Sequence, residues 1–330
     1  MSTAAELAAA RYRQVTTVQR GLAAAIQRIW GGLSPATIET DLEGAAGAAI
    51  LQAVVAGQLT VAQGAQAFVA AAMQAQGGTA VPEALLIAEA FGGIAPDGGP
   101  LETLLFLPAI GVKRRLAAGM TGTEAMLGGL ADMARYAATA VGDTARASAQ
   151  VAMAADRQVV AYTRVVTLPA CSRCIVLAGQ QYPYSEGFDR HPNCDCQVIG
   201  LRERDWSGVQ SPAELYAELS PEQRRRIFTN DGAKAVDLGA DIGQVVNARR
   251  GMSKPGVATT SEGITRRGLY GRQVRRAGGD FAQVPGQRYS RATAPRARAR
   301  ASRLTPEAIF RQADGRAEQL ELLRRHGYVV

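Results

Sequence analysis

The apolar positions of the N-terminal half recur with helical spacing. Val15, Val18, Leu22, Ile26 and Ile29 follow one another at steps of three or four residues. Residues with this spacing share one face of an α-helix, because the helix turns once every 3.6 residues. We therefore expect an amphipathic helix over residues 5–31, ended by a Gly-Gly pair.

Capping residues predict where the next helices of this half begin. Ser34 followed by Pro35 predicts a helix start, since Pro is tolerated at the first helical position. Thr121 and Glu124 form a T-x-x-E capping box, which predicts a long helix reaching about residue 156. Between these starts we expect helices over residues 83–91 and 101–118, the second with a kink or break at Pro108.

The stretch between Glu43 and Glu83 carries no charged residue and is rich in Ala. A membrane-spanning helix needs about 20 predominantly apolar residues, so its composition raises that possibility. Several glutamines interrupt the stretch, and Gly57 and Gly64 break the helix. We expect two Ala-rich helices packed through small faces, and no stable membrane span.

The pattern changes to alternation after the long helix. Residues 159–167, VVAYTRVVT, are β-branched and alternating, and residues 197–201 have a similar character, so both predict strands. Capped helices follow, because Ser211 and Ser220 each precede a Pro. Thr305 opens a last helix in the same way, with His326 as a residue of its C-terminal cap.

All four cysteines fall in one short segment that reads CSRCIVLAGQQYPYSEGFDRHPNCDC. Zinc takes four N or S ligands in a tetrahedron, usually supplied as two short pairs. The spacing C-x2-C followed by H-x2-C-x-C therefore predicts a structural zinc site, in which five candidates compete for four places: Cys171, Cys174, His191, Cys194 and Cys196. Buried thiols or a disulfide are the alternative.

A catalytic site in the same segment is a second alternative. Glu186, Asp189 and Asp195 are close enough in sequence to activate a metal-bound water, although they also suit turns or outer contacts of the metal ligands. The H-E-x-x-H pattern of metalloproteases does not occur, and neither does a P-loop or a dinucleotide-binding glycine motif.

The segment from Arg164 to Cys196 resembles the zinc-binding core of the MuF-type minor capsid proteins of tailed phages, the phage head morphogenesis family. The later run GAKAVDLGADIGQVVNARRGM and the C-terminal LTPEAIFRQA with HGYVV are similar to its actinobacteriophage branch. The resemblance implies a virion protein of few copies, associated with the portal inside the capsid and, during assembly, present in the host cytoplasm. Some relatives are described as capsid maturation proteases.

Charge is distributed unevenly along the chain. The formal net charge is +8, but residues 249–303 contain thirteen Arg and one Lys against two acidic residues, a net +12 that leaves −4 for the remainder. Residues 252–303 have few large apolar side chains, so we expect them to be disordered. They are either a solvated linker or a non-specific DNA-binding tail, with these candidate phosphate contacts: Arg266, Arg267, Arg272, Arg275, Arg276, Arg296, Arg298, Arg300 and Arg303.

Together these patterns predict a mainly α protein in four parts. They are an Ala-rich helical domain (1–157), a small α+β zinc-binding module (158–251), a disordered Arg-rich linker (252–303) and a C-terminal docking helix (304–330). The first functional hypothesis is a structural minor capsid protein that binds the portal, and scaffold or major capsid protein, without performing chemistry. The alternatives are a capsid maturation protease or other hydrolase, and a DNA-binding protein delivered into the host.

Overall fold

The computed structural model describes residues 3–183, 196–204, 206, 208–252, 258–284, 296–299 and 301–329. The chain forms two compact units. Unit 1 comprises residues 1–170 and 178–210, and unit 2 comprises residues 171–177 and 211–330. The described residues are mainly helical, as the sequence predicts.

Unit 1 is a helical bundle with one small sheet. Its helices and strands are α1 (Ala4–Trp30), α2 (Ile38–Glu43), α3 (Ala45–Gln63), α4 (Ala65–Ala75), α5 (Leu101–Ala117), α6 (Gly122–Ala154), β1 (Ala161–Val165), β2 (Gln181–Tyr182) and β3 (Gln197–Leu201), with a 3-10 turn at Ala88–Phe91.

Small residues let the helices of this bundle approach closely. The core joins Ile26 and Trp30 of α1 with Ile50 of α3 and Met133 of α6. At Gly129 of α6, an added Cβ would lie 2.5 Å from Val112 Cγ2 and 2.7 Å from Trp30 Cζ2. Glycine is therefore required there by packing.

The sheet belongs to the helical bundle rather than to a separate module. Its strand order is β2-β1-β3, with both pairs antiparallel and Thr163 opposite Ile199. All residues of β1 and β3 are buried, and Tyr162 shares a core with Ala8, Val69 and Met153 from three helices. The structure thus differs from the predicted boundary at residue 157, because the strands belong to unit 1 and share a core with its helices.

Arg11 is a buried cation in unit 1. Its guanidinium donates to the carbonyl of Val61 at 2.6 Å, to that of Ala145 at 3.4 Å and to Gln14 Oε1 at 2.8 Å. Burial lowers the pKa of Arg11 to about 10. The Val61 carbonyl lies in the last turn of α3, where helix carbonyls lack partners within the helix, so Arg11 satisfies a group at the α3–α4 junction.

Residues 45–75 have the length and composition of a membrane-spanning helix, with a mean hydropathy of 1.6 and 33% of the most apolar window buried. Core helices of soluble proteins meet the same criteria. Within unit 1, α3 and α4 place Ile50, Val54, Val61 and Val69 in the core. The expectation of no stable membrane span stays a prediction.

The described residues of unit 2 form short helices and two small two-stranded sheets. They are α7 (Ser172–Val176), α8 (Pro212–Glu218), α9 (Pro221–Phe228), α10 (Asn230–Asp237), α11 (Ile242–Arg250), β4 (Thr259–Thr260), α12 (Leu269–Arg276), β5 (Phe281–Val284), β6 (Arg296–Ala299), β7 (Arg303–Leu304), α13 (Pro306–Gln312) and α14 (Arg316–Arg325). Strand β4 pairs with β7, and β5 pairs with β6, both antiparallel.

The described part of residues 252–303 is folded, which differs from the predicted disorder. Tyr270 of α12 is buried and its hydroxyl donates to the carbonyl of Ser302 at 3.0 Å. Prediction from composition underestimated this segment because its order comes from a few long-range polar contacts rather than from apolar residues. Residues 253–257, 285–295 and 300 lie outside the described residues.

The C-terminal residues pack into unit 2 instead of projecting as a docking helix. They form two helices, α13 and α14, separated at Gly315, whose φ of 117° favours glycine. Ile309, Leu323 and Tyr328 are buried in one cluster with Ala235 and Val245. Residues 304–329 are therefore part of the fold of unit 2, and the prediction of a separate docking helix was wrong.

Two predicted helix starts were wrong and the predicted break at Pro108 does not occur, while the capping boxes were confirmed. Ser34 caps a turn through the Ala36 N–H, and α2 begins only at Ile38. Helix α5 continues through Pro108, which is buried, and the helix expected over residues 83–91 is reduced to the 3-10 turn. The capping boxes at residues 121, 211 and 220 form as predicted.

Candidate metal centre and arginine surface

Two of the five predicted zinc ligands lie together at the start of α7. Cys171 is the N-cap of this short helix and Cys174 lies in its first turn. Their sulfur atoms are 3.4 Å apart, and the backbone N–H of Cys174 donates to Cys171 Sγ, also at 3.4 Å. Cys174 is buried, whereas Cys171 is exposed.

The geometry of this pair fits a shared tetrahedral metal. Two thiolates at a Zn–S distance of about 2.3 Å and a tetrahedral angle lie about 3.8 Å apart, close to the observed separation. The C-x2-C spacing produces this arrangement because the intervening residues turn into a helix, which brings both side chains to its first turn. Bound zinc would supply folding free energy at this pair.

The other candidate ligands are described only in part. Cys196 is fully buried just before β3, and its carbonyl accepts from Arg146 Nη1 at 3.2 Å. His191 and Cys194 lie outside the described residues, as do Glu186, Asp189 and Asp195. Within the described ranges, no group of three or more His, Cys, Asp or Glu side chains is placed to hold a metal. The zinc site therefore stays a prediction supported by the geometry of one pair.

Five of the predicted DNA-contacting arginines form an exposed basic surface in unit 2. Arg272, Arg275 and Arg276 lie on α12 at helical steps of three and four residues, and Arg266 and Arg267 lie in the preceding turn. All five are exposed. We call this set the arginine surface. Arg296 and Arg298 lie on β6, whose side chains there are outside the description, as is Arg300.

Arg303 has a different role from the one predicted, because it is fully buried. Its Nε donates to the His326 carbonyl at 2.8 Å, Nη1 to the Glu262 carbonyl at 2.9 Å, and Nη2 to Gln244 Oε1 at 3.1 Å and to the Gly327 carbonyl at 3.3 Å. Burial lowers its pKa. Such a side chain cannot contact a phosphate on the surface. Arg303 instead joins three segments of unit 2 by hydrogen bonds, and we call it the anchor of unit 2.

His326 completes this anchor. Its Nδ1 accepts from the Leu304 N–H at 3.2 Å, which requires the neutral imidazole. Burial, together with the nearby Arg325 and Arg303, lowers the pKa of His326 to about 4. The sequence analysis identified the residue as a helix cap, which is confirmed, but missed its contact with β7.

The sequence analysis also missed a group of cations around one cavity of unit 2: Arg224, Arg225, Lys234 and Arg316. Three of them lie within eleven residues, Arg316 is distant in sequence, and all four are outside the most basic segment. The available signal was the spacing of polar residues along α10, where Asn230, Lys234 and Asp237 share one face.

Comparison with known proteins gives one partial match. Residues 112–220 match the family described as VG15 protein, a phage-related viral protein family. Neither a curated protein nor a solved structure matches the chain. The matched stretch runs from within α5 to the end of α8 and includes the whole cysteine segment, so the chain contains a region similar to a phage protein family.

Proposed function

We propose that the chain is a structural minor capsid protein of a tailed phage, of the MuF-type head morphogenesis kind, that acts at the portal inside the head. The observation that carries this proposal is the match to a phage-related viral family over residues 112–220, because that stretch contains the cysteine motif which resembles the MuF-type core. The actinobacteriophage resemblance lies in residues 232–252 and at the C-terminus.

Zinc is the cofactor of this proposal, and its role is structural. Cys171 and Cys174 would supply one ligand pair, and two of His191, Cys194 and Cys196 the other. The 3.4 Å sulfur separation supports the first pair. Elemental analysis of the purified protein should give about one zinc per chain, as expected for a four-ligand site.

DNA is the proposed partner of the arginine surface. Arginine neutralises backbone phosphates without reading base sequence, so log affinity should fall with log salt by about 0.9 per contact. The triple variant Arg272→Gln, Arg275→Gln, Arg276→Gln should reduce that slope by about two to three. A matched triple variant at Arg13, Arg20 and Arg28, exposed positions of α1, should leave the slope unchanged. Equal slopes for both variants would contradict this part of the proposal.

The virion itself tests the central proposal. Mass spectrometry of purified particles should find the chain at a few copies, and cross-linking of procapsids should join it to the portal protein. Absence of the chain from both particles would overturn a capsid role. Presence in the mature particle without a cross-link to the portal, followed by recovery from the infected host, would favour a DNA-binding protein delivered with the genome.

The protease alternative is tested by comparing two kinds of variant. Cys174→Ser should lower stability by several kcal/mol if the metal is structural, since zinc binding is then folding free energy. Ser172→Ala, at an intervening position of the same motif, is the control. Glu186→Gln and Asp189→Asn should leave folding and head maturation unchanged. A folded carboxylate variant that stalls capsid processing would replace the structural proposal with an enzymatic one.

A further inference from the structure

Unit 2 contains a cavity of about 480 Å³ bordered by α9, α10 and α14. Helix α10 contributes one face to it, through residues spaced three or four apart. Helix α9 contributes Pro221, Arg224 and Arg225, and α14 contributes two residues of its first turn. Its volume lies in the range of about 300 to 1,000 Å³ that is typical of small-ligand pockets. The lining residues are Pro221, Arg224, Arg225, Asn230, Ala233, Lys234, Asp237, Leu238, Arg316 and Gln319.

The charges around this cavity are unbalanced. Four cations line it against a single carboxylate, Asp237, and that carboxylate is already engaged. Arg224 Nη1 contacts Asp237 Oδ1 at 3.3 Å, and the hydroxyl of Tyr216 donates to the same oxygen at 3.0 Å. Asp237 is therefore compensated by Arg224, which leaves the other three cations without a carboxylate in the cavity lining.

Arg224 is held as part of the wall. Its Nε donates to the carbonyl of Tyr216 at 3.2 Å, its Nη2 donates to the carbonyl of Ala217 at 3.1 Å, and its guanidinium lies 4.6 Å from the centre of the Tyr216 ring. In contrast, Arg225 and Arg316 are exposed and form no ion pair with any residue that the structure describes. Arg224 therefore has a fixed position in the cavity wall, whereas the side chains of Arg225 and Arg316 can turn towards a bound anion.

We propose that this cavity binds a multiply charged phosphate group through Arg225, Lys234 and Arg316. Three like charges around one cavity repel one another, and an anion placed between them reverses that effect. Guanidinium groups match phosphate oxygens in geometry, and the amides of Asn230 and Gln319 add neutral donors. The first turns of α9 and α14 at the rim add the positive ends of two helix dipoles.

A compact polyphosphate and a DNA backbone share this chemistry, so the test uses both as probes. Isothermal titration with inorganic triphosphate, and fluorescence anisotropy with a short labelled DNA duplex, are performed on the full chain. The test variant is Arg225→Gln with Arg316→Gln. The control is Arg226→Gln with Arg324→Gln, which removes the same charge from exposed positions of the same two helices outside the cavity lining.

We expect the test variant to weaken triphosphate binding at least about tenfold, since each lost charge-assisted contact is large enough for that change. The control should bind as the unmodified chain does. If only duplex binding depends on the cavity pair, the phosphate comes from DNA and the proposal holds. Equal loss in both variants, or binding of neither probe, would overturn it. The proposal is independent of the capsid role, because virion composition does not enter the test.

Discussion

The two units bury a similar cation in different surroundings. In unit 1, Arg11 lies within a bundle whose helices pack through large apolar cores and close glycine contacts, and it satisfies carbonyls of α3 and α6. In unit 2, Arg303 joins four acceptors from three separate segments, next to a much smaller apolar cluster. Neither guanidinium has a carboxylate partner among the described ion pairs.

The difference shows how segment length decides what holds a fold together. Long helices bury continuous apolar faces, so most of the core of unit 1 is apolar, and Arg11 adds a polar contact where α3 ends and α4 begins. The short helices and two-residue strands of unit 2 bury little, and the buried arginine replaces part of that missing core with hydrogen bonds. We therefore expect unit 2 to respond to polar substitutions and pH, and unit 1 to respond to changes of volume.

The largest expected effect is that of Arg303→Met. The substitution keeps an apolar stem but leaves the carbonyls of Glu262, His326 and Gly327 without their donor, at an expected cost of about 4 kcal/mol. Hydrogen exchange should accelerate throughout unit 2 and remain slow in α1 and α6. Arg311→Met, at an exposed position, is the control, and equal protection in both variants would remove the distinction between the units.

The next effect is a pH dependence confined to unit 2. The pKa of His326 in the folded chain is lowered to about 4 from an ordinary value near 6.5. Between about pH 4 and pH 6.5, His326 is therefore protonated in the unfolded chain and neutral in the folded chain. The stabilisation is therefore complete above about pH 6.5 and is lost as the pH falls towards 4, by about 3 kcal/mol. The free energy of unfolding of each unit as a function of pH is measured by denaturant unfolding monitored by hydrogen exchange. His326→Gln should flatten the slope, and a slope that persists would assign it to other groups.

A paired glycine substitution tests packing in unit 1. Gly129→Ala places a methyl group against Val112 and Trp30, and overpacking of this kind costs about 1 to 3 kcal/mol. Gly21→Ala in α1 meets nothing within 4 Å and should stabilise the helix by up to about 1 kcal/mol. The melting temperature of unit 1 should fall for the first variant and rise for the second. A higher melting temperature for both variants would mean that helix propensity outweighs packing at residue 129.

The smallest effect should be equal in the two units. Thr121 in unit 1 and Ser211 in unit 2 each accept from the N–H three residues later, in complete capping boxes. Because a cap acts locally, Thr121→Ala and Ser211→Ala should each cost about 1 kcal/mol. The loss of stability in each unit is measured as the free energy of unfolding from hydrogen exchange. A much larger cost in unit 2 would mean that its short helices amplify local defects.

Local chemistry made much of the fold predictable from the sequence. Thr121, Ser211 and Ser220 marked helix starts correctly because a cap depends only on residues three positions apart. The alternation of residues 159–167 located β1, although both of its faces turned out to be buried. The extent of the sheet's burial could not be predicted, since the covering helices are distant in sequence.

The candidate site was predictable only where neighbouring residues form it. The Cys171–Cys174 pair follows from its spacing. Arg303 could not be separated from the exposed arginines by composition, because its burial depends on Gln244, Glu262 and His326, which precede and follow it at long range. The cations of the unit 2 cavity come from three helices for the same reason.

The position of Tyr328 in the core of unit 2 has a consequence for synthesis on the ribosome. Its carbonyl accepts from the Asp241 N–H at 2.8 Å and its hydroxyl donates to the Leu304 carbonyl at 2.8 Å. All elements of unit 1 precede residue 211, so that unit can fold while translation continues. Unit 2 must wait until residues 323–328 have left the ribosome, and nascent chains arrested before Leu323 should remain sensitive to protease over residues 211–304 while unit 1 is already resistant.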